Sequence, residues 1–168
     1  MSKVVLVLIM ISSILAGCRE SPPDAYVEIS GKIFIFNYRV ATATYVVTLA
    51  KVRPIPDGSV VQTRFDDPAG GAAILVEQKV WPKLDKIAIE SPPVFCIVKE
   101  KPYAFEIEIK SDDGTVLQKL GGTVVSSLDQ TVLPDRPLVV GPAYTPNPEL
   151  AGRPDGKLPG GSGVRCNL

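Results

Sequence analysis

Two pairs of neighbouring aspartates, Asp66-Asp67 and Asp112-Asp113, are the acidic residues whose spacing comes closest to that of a reactive site. Two carboxylates can act as acid and base in glycoside hydrolysis, or can bind a hard cation such as Ca²⁺. Both pairs stand in turn-like segments with glycine, and neither has the ligand spacing of a known calcium loop. We therefore interpret these aspartates as turn-forming, solvated residues, and we predict neither a metal site nor a cofactor.

Histidine is absent from the sequence. Without it the chain lacks the usual general base, the usual metal ligand and every Ser–His or Cys–His nucleophile. The Gly-x-Ser-x-Gly elbow, the phosphate-binding loop and the dinucleotide fingerprint are also missing. The kinds of catalysis that these absences leave open are hydrolysis with a catalytic lysine and acid–base catalysis by a pair of carboxylates. We predict that the protein is not an enzyme.

Cys18 closes the segment Leu15-Ala16-Gly17-Cys18, which follows Lys3 and an apolar run. A positive start, an apolar stretch and small residues at a cleavage point are typical of a secretory signal. The apolar run of about 13 residues is too short to span a bilayer, which needs roughly 20. The segment resembles the lipobox of bacterial lipoproteins. That resemblance implies a signal peptide over residues 1–17 and acyl chains such as palmitate on Cys18, which anchor the protein to a membrane.

Residues 18–24 are polar, contain two prolines and are predicted to form a lipidated tether. In lipoproteins, an aspartate directly after the acylated cysteine commonly retains the protein in the inner membrane. Arg19 occupies that position here. The resemblance therefore implies the periplasmic face of the outer membrane, within the bacterial cell envelope, rather than the inner membrane.

The two remaining cysteines, Cys96 and Cys166, form an even pair in an oxidising compartment. A disulfide between them would close a loop of about 70 residues and would contribute roughly 4 kcal/mol in the chain-entropy model. We predict this disulfide. The alternative is a buried Cys96 thiol in a strand and a free Cys166 in a loose tail.

The elements that position these residues are predicted to be strands. Between residues 25 and 140, runs of β-branched and aromatic residues alternate with turn signals, and no segment predicts a long helix. We predict strands over residues 26–38, 42–52, 59–65, 72–81, 86–90, 94–99, 103–110, 115–120, 123–133 and 138–140, with Gly121-Gly122 as a break. The domain at residues 25–140 is therefore expected to be all-β: an antiparallel β-sandwich, immunoglobulin-like in its general architecture.

Alternation along the first strand predicts one apolar face, and it places the aromatic residues Phe34, Phe36 and Tyr38 on the opposite, nominally polar face. The residues of the apolar face are Val27, Ile29, Ile33 and Ile35. Either Gly31 marks a β-bulge that changes the register, or the second half of the strand is buried on both sides. The functional interpretation is an aromatic stripe that binds a small hydrophobic or sugar-like ligand. The structural alternative is that these rings belong to the core.

Trp81 is the single tryptophan and precedes Pro82 at the end of a predicted strand. An exposed tryptophan beside a turn can be a binding hot spot. The alternative is that the ring covers the open end of the sandwich core.

Residues 141–168 are rich in proline and glycine and show no apolar periodicity. This composition predicts an extended or disordered tail, which a disulfide through Cys166 would attach to the sheet. The charged residues are balanced, with 18 basic against 18 acidic side chains, and they are scattered. The sequence therefore contains no basic patch of the kind that binds nucleic acid, and we predict no nucleic-acid partner.

The order of these features resembles the small β-sandwich lipoproteins of the YbaY and YscW type, the latter being pilotins of type III secretion. The matching features are the lipobox, the first strand Val-Glu-Ile-Ser-Gly-Lys-Ile, the turn and strand at residues 56–61, and the strand and turn at residues 103–114. The resemblance implies a non-catalytic module that binds an envelope protein or helps to assemble a secretion system. A ligand-binding lipoprotein and a purely structural envelope protein are the alternatives.

Overall fold

A computed structural model describes residues 24–161 and residue 166. The predicted signal peptide, the lipobox with Cys18 and nearly all of the tether lie outside the described residues. The described part of the chain is built from strands and contains no helix long and apolar enough to cross a membrane. The strands are β1 (Val27–Asn37), β2 (Thr42–Lys51), β3 (Val60–Phe65), β4 (Ile74–Lys79), β5 (Lys86–Glu90), β6 (Pro102–Lys110), β7 (Val116–Val125), β8 (Val139–Val140) and β9 (Thr145–Pro146), and short 3₁₀ helices cover Gln130–Val132 and Pro148–Leu150.

The strands form two antiparallel sheets that pack face to face, so the predicted β-sandwich is confirmed. One sheet has the order β1-β2-β5 and the other the order β4-β3-β6-β7, while β8 and β9 form a separate small pair. This is the immunoglobulin-type arrangement, with the fourth strand paired in the second sheet instead of the first. Each strand alternates between buried and exposed residues, because one face of each sheet lies on the core and the other lies in water.

Five aromatic rings fill the centre of the core. The ring of Tyr45 lies 4.3 Å from that of Phe34 and 4.9 Å from that of Phe65, measured between centroids. Tyr103 and Phe105 complete the cluster from β6. Rings of this size bury large apolar areas and favour tilted or edge-on contacts, so they hold the two sheets together.

Tyr103 also fixes the connection that leads into β6. Its phenolic oxygen accepts a hydrogen bond from the N–H of Val98 (2.8 Å) and donates to the carbonyl of Cys96 (3.5 Å). A tyrosine near the start of the sixth strand, bonded to backbone a few residues upstream, is the tyrosine corner of immunoglobulin-type sandwiches. The motif ties the β5–β6 connection to the core.

The register of β1 changes at a bulge, as the sequence suggested. Ile29 pairs with Leu49, but Gly31 already pairs with Thr48, so Ser30 is the extra residue. Past this point the side chains change face. The expectation that Ile33 lies on the same side as Val27 and Ile29 is therefore wrong, because its side chain is 57% exposed.

Three predicted boundaries are also wrong. β7 runs through Gly121-Gly122 to Val125, and residues 126–133 form turns and a 3₁₀ helix instead of a strand. The two glycines suit the close approach of Phe105, because a Cβ on Gly122 would lie 3.0 Å from its ring and a Cβ on Gly121 would lie 3.3 Å from its carbonyl oxygen. Residues 94–99 form a single bridge between Val94 and Ala43 instead of a strand.

The described part of the predicted tail contains turns and short regular elements. Residues 141–161 form turns, a strand and a 3₁₀ helix. The ammonium group of Lys157 donates to the carbonyl of Thr131 (2.8 Å) and to that of Leu133. The predicted disulfide between Cys96 and Cys166 is present, with Cα atoms 5.4 Å apart. Turns, backbone bonds and a cross-link thus replace the apolar periodicity that the tail lacks.

Two glutamine side chains join the sheets at their opposite edges. The Oε1 atom of Gln118 on β7 accepts from the N–H groups of Tyr26 (2.7 Å) and Val27 (3.0 Å), and its Nε2 donates to the carbonyl of Val27 (2.9 Å). At the other edge, Nε2 of Gln78 on β4 donates to the carbonyl of Ala88 on β5 (3.1 Å). Edge strands otherwise expose unpaired backbone groups, which these amides cover.

The two glutamines should contribute unequally to stability. We expect Gln118→Ala to lower the free energy of unfolding by about 2 kcal/mol, because three part-buried backbone groups lose their partner. The matched variant Gln78→Ala removes one exposed bond and should cost about 0.5 kcal/mol. Urea unfolding at equilibrium measures both values, and equal losses would contradict the special role of Gln118.

Candidate functional site

The aromatic stripe predicted on β1 does not form a binding surface. Phe34 is 5% exposed and packs in the core, because the bulge at Ser30 turns it inward. Phe36 is partly buried against the same core. Tyr38 is exposed, and its hydroxyl donates to the carbonyl of Asp155 in the tail (3.3 Å). The rings therefore serve packing and tail attachment.

Two of the four paired aspartates, Asp67 and Asp113, accept hydrogen bonds within their own turns, as interpreted from the sequence, whereas Asp66 bonds to strand β6. Asp66 accepts a hydrogen bond from the N–H of Ala104 (2.8 Å). Asp67 accepts from Ala69 (2.9 Å) and Gly71 (3.1 Å) within its own loop. Among residues 24–161 and Cys166, no cluster of three or more Cys, Asp or Glu side chains could hold a metal ion.

Asp113 shows how firmly one of these turns is built. Its carboxylate accepts from the hydroxyl of Ser111 (2.6 Å) and from the N–H of Thr115 (2.9 Å). The bond from Ser111, followed by that from Thr115, lowers the pKa of Asp113 to about 2. A carboxylate held ionised in this way is a poor acid catalyst at neutral pH.

Trp81 and the cysteines occupy separate parts of the molecule. Trp81 is 62% exposed in the β4–β5 connection and does not cover the core. The ammonium of Lys79 lies 5.9 Å from its ring centroid. The Cys96–Cys166 disulfide lies at the opposite end of the sandwich, beside the tail.

The outer face of the four-stranded sheet carries a groove of about 670 Å³, which sequence reasoning did not find. Pairing register places Leu75, Arg64, Glu106 and Gly121 in one row across β4, β3, β6 and β7. Gly121 presents no side chain there, so the row is open above β7. We call these four residues the groove row.

A second row of polar side chains lies next to the groove row and links all four strands. Gln62 donates to Glu77 (2.5 Å) and accepts from the ammonium of Lys110 (2.5 Å). Glu108 then pairs with Lys110 (3.1 Å) and with Lys119 (2.6 Å). These bonds form a continuous polar network, which holds the floor of the groove in one arrangement.

The charged side chains of the groove row are not part of this polar network. Arg64 and Glu106 lie on directly opposed positions of β3 and β6, yet no ion pair within the described chain includes either of them. Leu75 is 76% exposed at the edge of the sheet. An exposed apolar side chain beside an available guanidinium and carboxylate can contact a partner through both apolar burial and directed hydrogen bonds.

The sequence indicated only part of this site. Alternation along β6 showed that Glu106 and Glu108 face water. It did not show that Leu75 and Arg64 stand beside them, because these residues come from strands about 30 to 40 positions earlier and pairing register cannot be read from one sequence.

Comparisons with known proteins add little. Neither a protein family nor a curated protein matches the chain. Among solved structures, the chain is similar to the crystal structure of an endonuclease/exonuclease/phosphatase from Beutenbergia cavernae DSM 12333, with a TM-score of 0.31 and 19% identity. The match covers 48% of this chain and 20% of the other. Because the TM-score is so low, nothing about function is inferred from this likeness.

The polar network predicts a pH-dependent stability. Hydrogen bonds from Lys119 and then Lys110 lower the pKa of Glu108 below its ordinary value. A carboxylate whose pKa is lower in the folded protein than in the unfolded chain stabilises the fold at pH values above its pKa in the unfolded chain. This stabilisation is lost as the pH falls through its pKa in the folded protein.

We therefore expect Glu108→Gln to unfold at lower urea than the native chain at neutral pH, and the difference to shrink at strongly acid pH. Glu100→Gln is the matched control, because its carboxylate lies 3.7 Å from an exposed Lys99 ammonium and should matter little. A difference for Glu108→Gln that is the same at both pH values would contradict the assignment.

Proposed function

We propose that this protein is a membrane-anchored lipoprotein of the bacterial cell envelope, which binds another protein through the groove row and performs no catalysis. The observation that carries the proposal is the groove row itself, with Leu75 exposed beside Arg64 and Glu106 on a sheet face braced by a polar network. The lipobox at Cys18 supports the anchor, and Arg19 supports the periplasmic face of the outer membrane.

The composition of the groove favours a protein over a small molecule. Its volume of about 670 Å³ is of the size that holds a ligand. Small-ligand sites, however, enclose most of the ligand's surface, whereas this groove is open on the outer face of the sheet and carries charged and amide side chains such as Gln62, Glu108 and Lys119. A polar surface with one apolar anchor and an arginine is typical of protein interfaces.

The other functions considered have less support. A hydrophobic or sugar-like ligand on the aromatic face of β1 loses its surface, because Phe34 is in the core. Catalysis lacks a histidine, and the turn aspartates that resemble a reactive pair are engaged by backbone groups.

A photo-crosslinking residue at position 75 tests the proposal in intact cells. We expect position 75 to crosslink one partner, whereas position 33 should not, since Ile33 is a similarly exposed apolar strand residue on the opposite sheet. Arg64→Glu and Glu106→Lys should each reduce co-purification of that partner about tenfold or more, the loss typical of an interface hot spot.

Three readouts keep this test decisive. Urea midpoints near the native value show that the variants are folded. Crosslinks from position 33 alone would move the interface to the other sheet and contradict the proposed face. Absence of crosslinks from both positions, with the protein still in the membrane fraction, would contradict a protein-binding role.

A further inference from the structure

The segment that leads into β1 and the β4–β5 connection lie side by side at one end of the sandwich. The N–H groups of Val52 and Arg53 donate to the carbonyl of Tyr26 (2.9 and 3.4 Å). The N–H of Lys51 donates to the carbonyl of Asp85 (2.9 Å). Whatever precedes residue 24 therefore leaves the domain next to the loop that contains Trp81.

This loop holds its apolar side chains outward in a fixed turn. The N–H of Leu84 donates to the carbonyl of Trp81 (3.2 Å), and the ammonium of Lys51 donates to the carbonyls of Trp81 (2.7 Å) and Pro82 (3.3 Å). Trp81 is 62% exposed, Leu84 54% and the neighbouring Val52 48%. Large apolar side chains kept in water by a braced turn indicate a contact surface.

Basic residues surround these apolar side chains. Lys79 precedes the loop, Lys83 lies within it and Lys86 follows it, whereas Asp85 is the acidic residue of this stretch. The other acids of this end include Asp24, which precedes β1, and Asp57, Asp112 and Asp113, of which the last two belong to the β6–β7 hairpin that Gly58 approaches. Tryptophan and leucine beside lysines are typical of a protein surface at a membrane–water interface, where the rings enter the headgroup region and the ammonium groups meet phosphate.

We propose that Val52, Trp81 and Leu84, with Lys79, Lys83 and Lys86, form a surface that docks on a bilayer containing anionic phospholipids. We call it the tether-side surface. The choice of a bilayer as the partner rests on the proposed function, because it uses the lipid anchor on Cys18. Six residue steps separate Cys18 from Asp24, and they reach at most about 20 Å. An anchor of that length holds this end of the domain against the membrane, and the basic residues match its charge.

Trp81 reports on this contact directly, because it is the single tryptophan of the chain. The full chain, isolated from membranes, is reconstituted into vesicles of phosphatidylethanolamine and phosphatidylglycerol that carry acyl chains brominated near the headgroup. Flotation of the vesicles reports whether the protein is anchored. Quenching and a blue shift of the Trp81 emission report whether the tether-side surface touches the bilayer.

We expect the native protein to float and its Trp81 emission to be quenched. Lys83→Glu/Lys86→Glu should still float but lose quenching severalfold, since each basic residue near an anionic surface strengthens binding by roughly fivefold. The matched variant Lys99→Glu/Lys101→Glu changes two exposed lysines at the opposite end and should be quenched like the native protein.

The possible failures are distinguishable. Protein that floats without quenching of Trp81 overturns the tether-side surface and leaves the anchor intact. Equal quenching of both double variants also overturns it, because the basic residues would then play no part. Protein that does not float contradicts the anchor and the docking surface together.

Discussion

The hydrogen bonds between Gln118 and the start of β1 are the interaction on which the arrangement of the molecule depends. β1 is an edge strand that follows directly on the predicted tether, and any pull on the tether reaches Tyr26 and Val27 first. One side chain of β7 satisfies three backbone groups of these two residues. The amide therefore joins the sheets at the point where force would separate them. The bulge at Ser30 follows at once and turns Phe34 into the aromatic core.

The sandwich places its two candidate surfaces in different directions. The groove row lies on the broad face of the four-stranded sheet, whereas the tether-side surface lies at the end of the strands where the chain begins. A domain held by that end keeps the sheet face open to proteins beside it. At the opposite end lies the tail, which the Cys96–Cys166 disulfide links to the β5–β6 connection and the bonds of Lys157 link to the segment after β7. The proposed anchor, the proposed contact face and the end beside the tail thus occupy separate regions.

Local signals in the sequence were sufficient for much of the fold. The alternation of apolar and charged residues correctly predicted β6, and the β-branched residues correctly predicted β2. Both ends of β5 were also predicted correctly. The failures arose where tertiary packing overrides local preference. Gly121-Gly122 resembles a break, but it lies inside β7 where Phe105 packs closely and leaves little room for a Cβ. Residues 94–99 have strand composition, yet Cys96 adopts a left-handed backbone (φ 66°) at the disulfide and the tyrosine corner. The groove row depends on pairing register between distant strands, which no local pattern contains.

The proposed function depends on a lipid on Cys18 that holds the domain at a membrane. The most direct measurement is the mass of the N-terminal peptide of the protein isolated from its native membranes. We expect a mature chain that begins at Cys18 and carries added acyl chains, recovered from the outer-membrane fraction. A chain that retains residues 1–17, or one that begins elsewhere and carries no lipid, would contradict this expectation.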